Sequence, residues 1–343
     1  MPVPIEEGRE KINSSAQTSP LASETPFGMK FIPGGAFLMG SDRHYPEEAP
    51  VRKIAVDDFW IDETPVTNAQ FAAFVAATGH RTCAEIAPDP AQYPSMPEHM
   101  RHAGSLVFKS PGKPVPLTDP YAWWDFCFGT SWRCPEGPGS SIEGRENHPV
   151  VHIAYADADA YTKWSGKSLP TEAEFEFAAR GGLAGAEYAW GNELAPGGLI
   201  MANYWIGDFP YHSIKPAGQH TTSPVRQYPA NGYGLFDMIG NVWEWTSDWY
   251  RADASKKSEG SCCIPQNPRG GAENESYDPA QPDLRIGRKV LKGGSHLCAP
   301  SYCRRYRPAA RYPQPVDTST SHVGFRCVLR ARSHGKVVVP SRD

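Results

Sequence analysis

No part of this chain runs far without a residue that breaks regular backbone. Its 343 residues include 34 prolines and 32 glycines, about a fifth of the total and well above ordinary usage. Proline fixes φ and removes a backbone donor, and glycine weakens the interior of a helix or strand. A fold built mainly from long helices is therefore excluded. The chain also carries ten tryptophans, so the expected result is much irregular backbone pinned by aromatic packing.

The length suits either two domains or one large one. A net charge of −4 gives no support to general binding of nucleic acid or anionic membranes. No apolar run approaches the roughly 20 residues that a membrane helix needs. The first residues, MPVPIEEGREKINSS, lack the basic-then-apolar pattern of a secretory signal, and a cytoplasmic location is expected. In a reducing cytosol most of the eight cysteines should be free thiols. Cys262 and Cys263 are adjacent, which strains any bridge between them.

Residues 1–26 are polar and read as a disordered extension, with a structured domain over 27–333 and a tail over 334–343. Phe31-Ile32 and residues 36–39 read as short strands parted by a Pro-Gly-Gly turn, and residues 53–62 as a further strand. Thr67 and Gln70 have capping-box spacing; Phe71, Phe74 and Val75 share one helical face, and Gly79 ends that helix. Residues 82–147 read as a long set of loops with the pair Trp123-Trp124, of a length that often serves function. Residues 148–153 read as a strand and 155–165 as a helix stopped by Gly166. Thr171 and Glu174 form a second capping box, and the acids Glu172, Glu174 and Glu176 are expected to cap or to be solvated. Residues 265–271 read as a loop, and the basic segment from Arg330 as frayed.

Two segments carry candidate chemistry. Residues 231–249, NGYGLFDMIGNVWEWTSDW, crowd Asp237, Asn241, Glu244 and Asp248 into an irregular stretch. Such oxygen donors suit calcium, although the EF-hand spacing is absent; the alternative is an aromatic core segment with turn-forming Asn and Asp. Residues 292–327 hold Cys298 and Cys303, five positions apart, followed by Arg304, Arg305, Arg307, Arg311 and Arg326. Neighbouring positive charge favours the reactive thiolate. The spacing fits neither a structural zinc site nor a C-x-x-C redox motif. Two soft sulfurs suit Cu(I) or can oxidise to a disulfide. Two inert buried cysteines remain the bland alternative. His296 and His322 lie nearby in sequence, and satisfied polar histidines are the commoner reading of them.

The stretch GGSHLCAPSYCRRYRPAAR with SHVGFRC resembles the active-site segment of formylglycine-generating enzymes, the sulfatase-modifying factor family. PGGAFLMGS (33–41), LPTEAEFEFAARGG (169–182), ANYWIGDFP (202–210) and residues 231–249 resemble its other landmarks, in the same order, so the likeness spans about residues 27–329. It implies an α+β fold related to C-type lectins and poor in regular structure. It implies oxidation of the cysteine of a C-x-P-x-R motif, in an unfolded or nascent sulfatase, to Cα-formylglycine by O2 and Cu(I). Cys303 would be the fixed copper ligand, Cys298 the ligand that also engages the substrate thiol, Ser295 a donor at the oxygen pocket, and Trp243 an aromatic of that pocket. The likeness also implies structural Ca2+ at Asp237, Gly240, Val242 and Glu244, and another at Asn203 and Tyr204. At that second site Ala217 stands where an aspartate is expected. Thr162, Ala179 and Pro308 replace cysteines bridged in secreted members, and Cys327 has lost its partner. A monomer is expected. Two alternatives stand: a relative of the non-haem iron sulfoxide synthases, or a non-catalytic, lectin-like binding paralogue.

Overall fold

The computed structural model describes residues 26–91, 93, 96–216, 221–252 and 263–330. The tail over 334–343 and the extension over 1–26, Pro26 apart, lie outside these. The first strands follow the turn signals. β1 (Met29–Ile32) and β2 (Gly35–Met39) are parted at Gly34, where a Cβ would lie 2.4 Å from the Val56 carbonyl. The single strand expected over residues 53–62 is two, β3 (Arg52–Val56) and β4 (Phe59–Asp62). Asp57-Asp58 divides them: Asp58 accepts the Gly34 N–H at 2.7 Å, and the chain changes partner from β2 to β1.

Helix α1 (Asn68–Thr78) has the expected capping box, Phe71, Phe74 and Val75 buried, and Gly79 left-handed at φ 68°. Residues 82–147 are not all loop. β5 (Gly104–Phe108) and β6 (Trp124–Phe128) pair antiparallel across a Pro-rich excursion that hid them. Residues 148–153 form no strand: Pro149 bridges Thr67, and His152 turns to φ 60°. Then come α2 (Tyr155–Trp164), α3 (Glu172–Arg180), and the short pair β7 (Gly207–Asp208) and β8 (His212–Ser213). A four-stranded sheet occupies the centre, in the order β11 (Arg311–Pro315), β10 (Arg288–Lys292), β9 (Trp243–Trp249), β12 (Val323–Gly324). Only β12 runs parallel to its neighbour. β13 (Val328–Arg330) closes a second sheet on β4 and β1. The fold is mixed α+β with short elements. No helix among the described residues is long and apolar enough to cross a membrane.

Aromatic side chains bind these pieces together. Phe71, Phe74, Tyr161, Trp132, Trp245 and Phe325 fill one core cluster; Phe59, Phe175 and Phe177 are in a second. A third, of Trp123, Trp205, Phe209, Leu297 and Ala299, takes in part of the cysteine segment itself.

The acids of α3 are buried, not solvated. The Arg311 guanidinium donates to both oxygens of Glu172, at 2.7 and 3.0 Å. Arg330 forks Glu174, so this residue closes β13 and is not frayed. Glu176 accepts from Lys292 at 2.9 Å, from Arg180 at 2.7 Å and from the Gly40 N–H at 2.7 Å. Burial opposes ionisation of Glu176, but Lys292 and Arg180 outweigh it and hold the carboxyl down to about 2. Removing one partner of a buried charge cluster leaves the other uncompensated and costs about 3–5 kcal/mol. Glu176→Gln is expected to lower stability by about that amount in denaturant titration; a loss below about 1 kcal/mol contradicts this account. The folded-state pKa lies below the ordinary value of 4.5. The carboxylate's contribution is therefore complete above that value and disappears as pH falls towards 2. The unsubstituted chain should lose this increment of stability over that acid window, and the Gln variant should not.

Candidate active site

β10 delivers the chain to Lys292, whose ammonium is held on Glu176. Gly293 and Gly294 then take φ of 90° and 73°. The turn is tight enough that a Cβ on Gly294 would lie 2.5 Å from the Arg305 carbonyl. Next comes a knot of local bonds: the Ser295 hydroxyl accepts the Leu297 N–H at 3.2 Å, the Ser295 carbonyl accepts the Cys298 N–H at 3.0 Å, and the Ala299 carbonyl accepts the Cys303 N–H at 2.9 Å. This folds the five-residue spacing back on itself and brings the two sulfurs to 3.3 Å.

The two thiols are not equivalent. Cys298 is 2% exposed, and burial together with the Cys303 sulfur raises it well above an ordinary thiol. Cys303 is half-buried, and its thiol is lowered to about 7 by the hydrogen bond from Cys298 and by the Arg305 guanidinium, against the opposing effect of burial. Cys298 therefore donates its S–H to the Cys303 thiolate. Of the five arginines expected to create the local field, only Arg305 reaches sulfur, at 3.8 Å. Arg304 goes to Glu187, Arg307 to Glu48, Arg311 to Glu172 and Arg326 to Glu244. Arg305 is itself steadied by Glu47 at 2.7 Å and by the Tyr45 ring at 3.8 Å. Tyr302 and Tyr312 are each about two-fifths exposed, and burial first, with the Cys303 sulfur adding to it, raises both phenols.

The other expected site residues also gather here. Ser295 is fully buried, its N–H on the Cys298 sulfur at 3.4 Å and its hydroxyl 3.3 Å from Nδ1 of His322. Trp243 is buried in the core cluster that includes Cys298, with Tyr312 at 5.9 Å. His322 stands edge-on to Trp124 at 4.8 Å, and the Asn241 carbonyl accepts from Nδ1 of His296 at 2.8 Å. Burial lowers both histidines to about 3, so they are neutral. His322 reaches the sulfurs through Ser295.

The two expected calcium positions differ. Asp237 and Glu244 are both buried, and burial raises both carboxyls. Arg326 forks Glu244 at 2.7 and 2.8 Å and also donates to the Asp237 carbonyl at 3.2 Å. Among the described residues the Asp237 carboxylate accepts from the Arg226 N–H at 3.0 Å and the Asn241 amide at 3.5 Å. Two buried carboxylates against one buried guanidinium leave an excess of negative charge. With the carbonyls of Gly240 and Val242, which the resemblance implies, these would be hard oxygens of the kind Ca2+ takes, with Arg326 already on both oxygens of Glu244. No group of three or more His, Cys, Asp or Glu forms a ready metal site among the described residues. Asn203 is different. Its side-chain oxygen accepts the Lys215 ammonium, its amide donates to the Thr221 carbonyl at 3.0 Å and to the Asn241 side chain at 3.3 Å, and Tyr204 stacks on Tyr306 at 4.8 Å. Burial lowers Lys215 to about 8, and among the described residues no carboxylate pairs with it. These residues do not fit a dication, and Ala217 lies outside the described residues.

Sequence reading missed Tyr45, Glu47, Lys215 and the role of His322. Tyr45 and Glu47 lie some 258 residues from Arg305, and no local pattern marks them. The inequality of the two sulfurs gives a direct test. In the metal-free, reduced protein, Cys303 should be alkylated by iodoacetamide before Cys298, with its rate rising through a midpoint near pH 7. Faster labelling of Cys298, or a midpoint near the ordinary 9, contradicts the assignment.

Residues 14–331 match the family profile described as the sulfatase-modifying factor enzyme 1-like domain. The chain is 51% identical to the formylglycine-generating enzyme of Mycobacterium tuberculosis over 87% of its own length and 96% of the relative's. It is 46% identical to that of Thermomonospora curvata, over 88% and 92%. Among solved structures, PvdO from Pseudomonas aeruginosa shares the fold, with a TM-score of 0.58 at 22% identity, covering 88% of this chain and 93% of PvdO. With its profile match, these identities and a paired-thiol site on one short segment, the chain belongs to the sulfatase-modifying factor enzyme 1-like family.

Proposed function

We propose that Cys298 and Cys303 together hold Cu(I), and that this site uses O2 to oxidise the cysteine of a C-x-P-x-R segment. The chain is an oxidase that activates sulfatases by converting cysteine to Cα-formylglycine. The observation that carries the copper reading is the 3.3 Å approach of two sulfurs of unequal acidity. Such a pair is a soft donor set, which favours a monovalent thiophilic ion over harder cations. Bound there, Cu(I) supplies a point of attachment for the substrate thiol and a route for electrons to O2.

The chain's own groups do the rest. Cys303 offers the resting thiolate, whose charge Arg305 balances. Cys298 holds its proton in the metal-free protein, and would be the ligand that also meets the incoming thiol. The Ser295 hydroxyl, oriented by His322, is a donor for oxygen at the site. Trp243 closes the apolar side. The substrate's CH2SH group gives up two hydrogens and two electrons to O2, an external thiol reductant supplies the other two electrons as it becomes disulfide, O2 leaves as two waters, and water then replaces the sulfur, leaving aldehyde and sulfide. An unfolded sulfatase segment can approach over Tyr302 and Tyr312. Cys83, Cys127, Cys134, Cys298, Cys303 and Cys327 are free thiols, which supports a reducing, cytoplasmic setting. We assign Ca2+ to Asp237 and Glu244 with the carbonyls of Gly240 and Val242, where it would balance the excess buried charge.

A C-x-P-x-R peptide incubated in air with copper-loaded protein and a thiol reductant should lose mass equal to the difference between CH2SH and CHO. An unchanged mass with copper bound contradicts the proposal. Cys303→Ala is expected to abolish both copper binding and turnover. Cys298→Ala should lose turnover while keeping the fold, and an unfolded variant would instead make Cys298 structural. Added Ca2+ should raise the thermal midpoint of chelator-stripped protein by a few degrees, and Asp237→Ala should remove that response. An equal response in both proteins contradicts the calcium assignment.

A further inference from the structure

The disagreement at Asn203 has a physical content of its own. Asn203 is buried, and its backbone carbonyl and both polar atoms of its side chain are used. Its backbone carbonyl accepts the Asn241 N–H at 2.8 Å, and its amide ties Thr221 to Asn241. The Asn241 carbonyl in turn holds both the N–H and Nδ1 of His296, two residues before Cys298. Trp205, two residues beyond Asn203, donates its N–H to the Cys298 carbonyl at 2.9 Å. The loop from Asn203 to Lys215 is thus part of the bed beneath the thiols, and something must satisfy the one remaining buried oxygen at its centre, Oδ1 of Asn203.

We propose that the Lys215 ammonium does at Asn203 what a calcium ion would otherwise do, making this corner of the fold independent of metal. Two features carry it. Lys215 closes the loop by donating to Oδ1 of Asn203, so the donor that an ion would need is already taken by a charge covalently part of the same loop. The described groups that bond to the Asn203 amide are neutral, the Thr221 carbonyl and the Asn241 side chain, with a neutral His296 on the Asn241 carbonyl, and the Asp237 carboxylate lies one step further, beyond the Asn241 amide at 3.5 Å. Ca2+ takes six to eight oxygens and relies on carboxylates to offset its dehydration. A dication on neutral donors alone is poorly compensated, whereas a single ammonium needs only one good acceptor and carries its counter-entropy in a short loop. The aspartate expected at position 217 is an alanine in this sequence, consistent with a site that no longer has a dication to neutralise.

The test is a count of calcium on the intact, chelator-stripped chain by equilibrium dialysis against calcium alone. At most one ion per chain is expected, unchanged by Asn203→Ala and lost in Asp237→Ala. Two ions, a count that falls in Asn203→Ala, or an ion that survives Asp237→Ala would each overturn the proposal. Independently, Lys215→Met, which keeps the bulk and removes the charge, should lower the thermal midpoint in chelator by roughly 2 °C or more. An unchanged midpoint would also overturn it. If Lys215→Met yields no soluble protein, the ion count decides, since it needs no change at Lys215. Neither measurement involves cysteine oxidation, so the outcome is separable from the proposed reaction.

Discussion

Three buried guanidinium groups hold the segment that follows the thiols, and each is gripped by a carboxylate from far away in the chain. Arg307 pairs with Glu48, Arg311 with Glu172 and Arg326 with Glu244. A charge taken out of water is costly until it meets its partner, and the partnered geometry is the only low-energy one. A chain with strands of two to seven residues has few ladder bonds with which to fix long-range order. The guanidinium clamps supply that order here. They join the Pro46–Glu48 turn, α3 and β9 to the returning chain, and so decide where residues 293–305 must lie.

This arrangement also determines the chemistry of the sulfurs. Had all five arginines faced the thiols, both would ionise and repel each other. Because Arg304, Arg307, Arg311 and Arg326 are turned to carboxylates away from the sulfurs, Arg305, itself paired with Glu47, is the guanidinium that reaches sulfur, and it donates to Cys303. Cys298, buried among Ala299, Leu297 and the aromatic core, keeps its proton. Two identical side chains five residues apart thereby become a donor and an acceptor of one hydrogen bond. The asymmetry suits a site where one sulfur stays fixed and the other must exchange partners. The same logic of internal charge runs through Glu176, which settles Lys292 and Arg180, and through Asn203, where Lys215 supplies a cation from within the loop.

The sequence made visible what local rules govern. Capping boxes at Thr67 and Thr171, the glycine stops at Gly79 and Gly166, and the turn at Gly34 all lie where spacing put them. So do the paired thiols, because Gly293, Gly294 and the C-x4-C interval are contiguous. What spacing could not reveal depends on distant partners. Glu172, Glu174 and Glu176 look like the acids of a solvated first turn until Arg311, Arg330 and Lys292 arrive from more than a hundred residues away. Residues 148–153 have strand composition, yet His152 is held left-handed with its ring between Ser105 and the Pro135 carbonyl. β5 and β6 pair across the fifteen proline-rich residues 109–123, too far for a hairpin signal. Lys215 carries no motif at all; its role exists only because Asn203 is folded against it.

The central claim is that the two sulfurs form one soft site. X-ray absorption at the copper edge of the Cu(I)-loaded, substrate-free chain tests it most directly. The account expects a first shell made of the sulfurs of Cys298 and Cys303, with no nitrogen from His296 or His322. A shell dominated by nitrogen or oxygen, or one unchanged when both cysteines are replaced by serine, would contradict it.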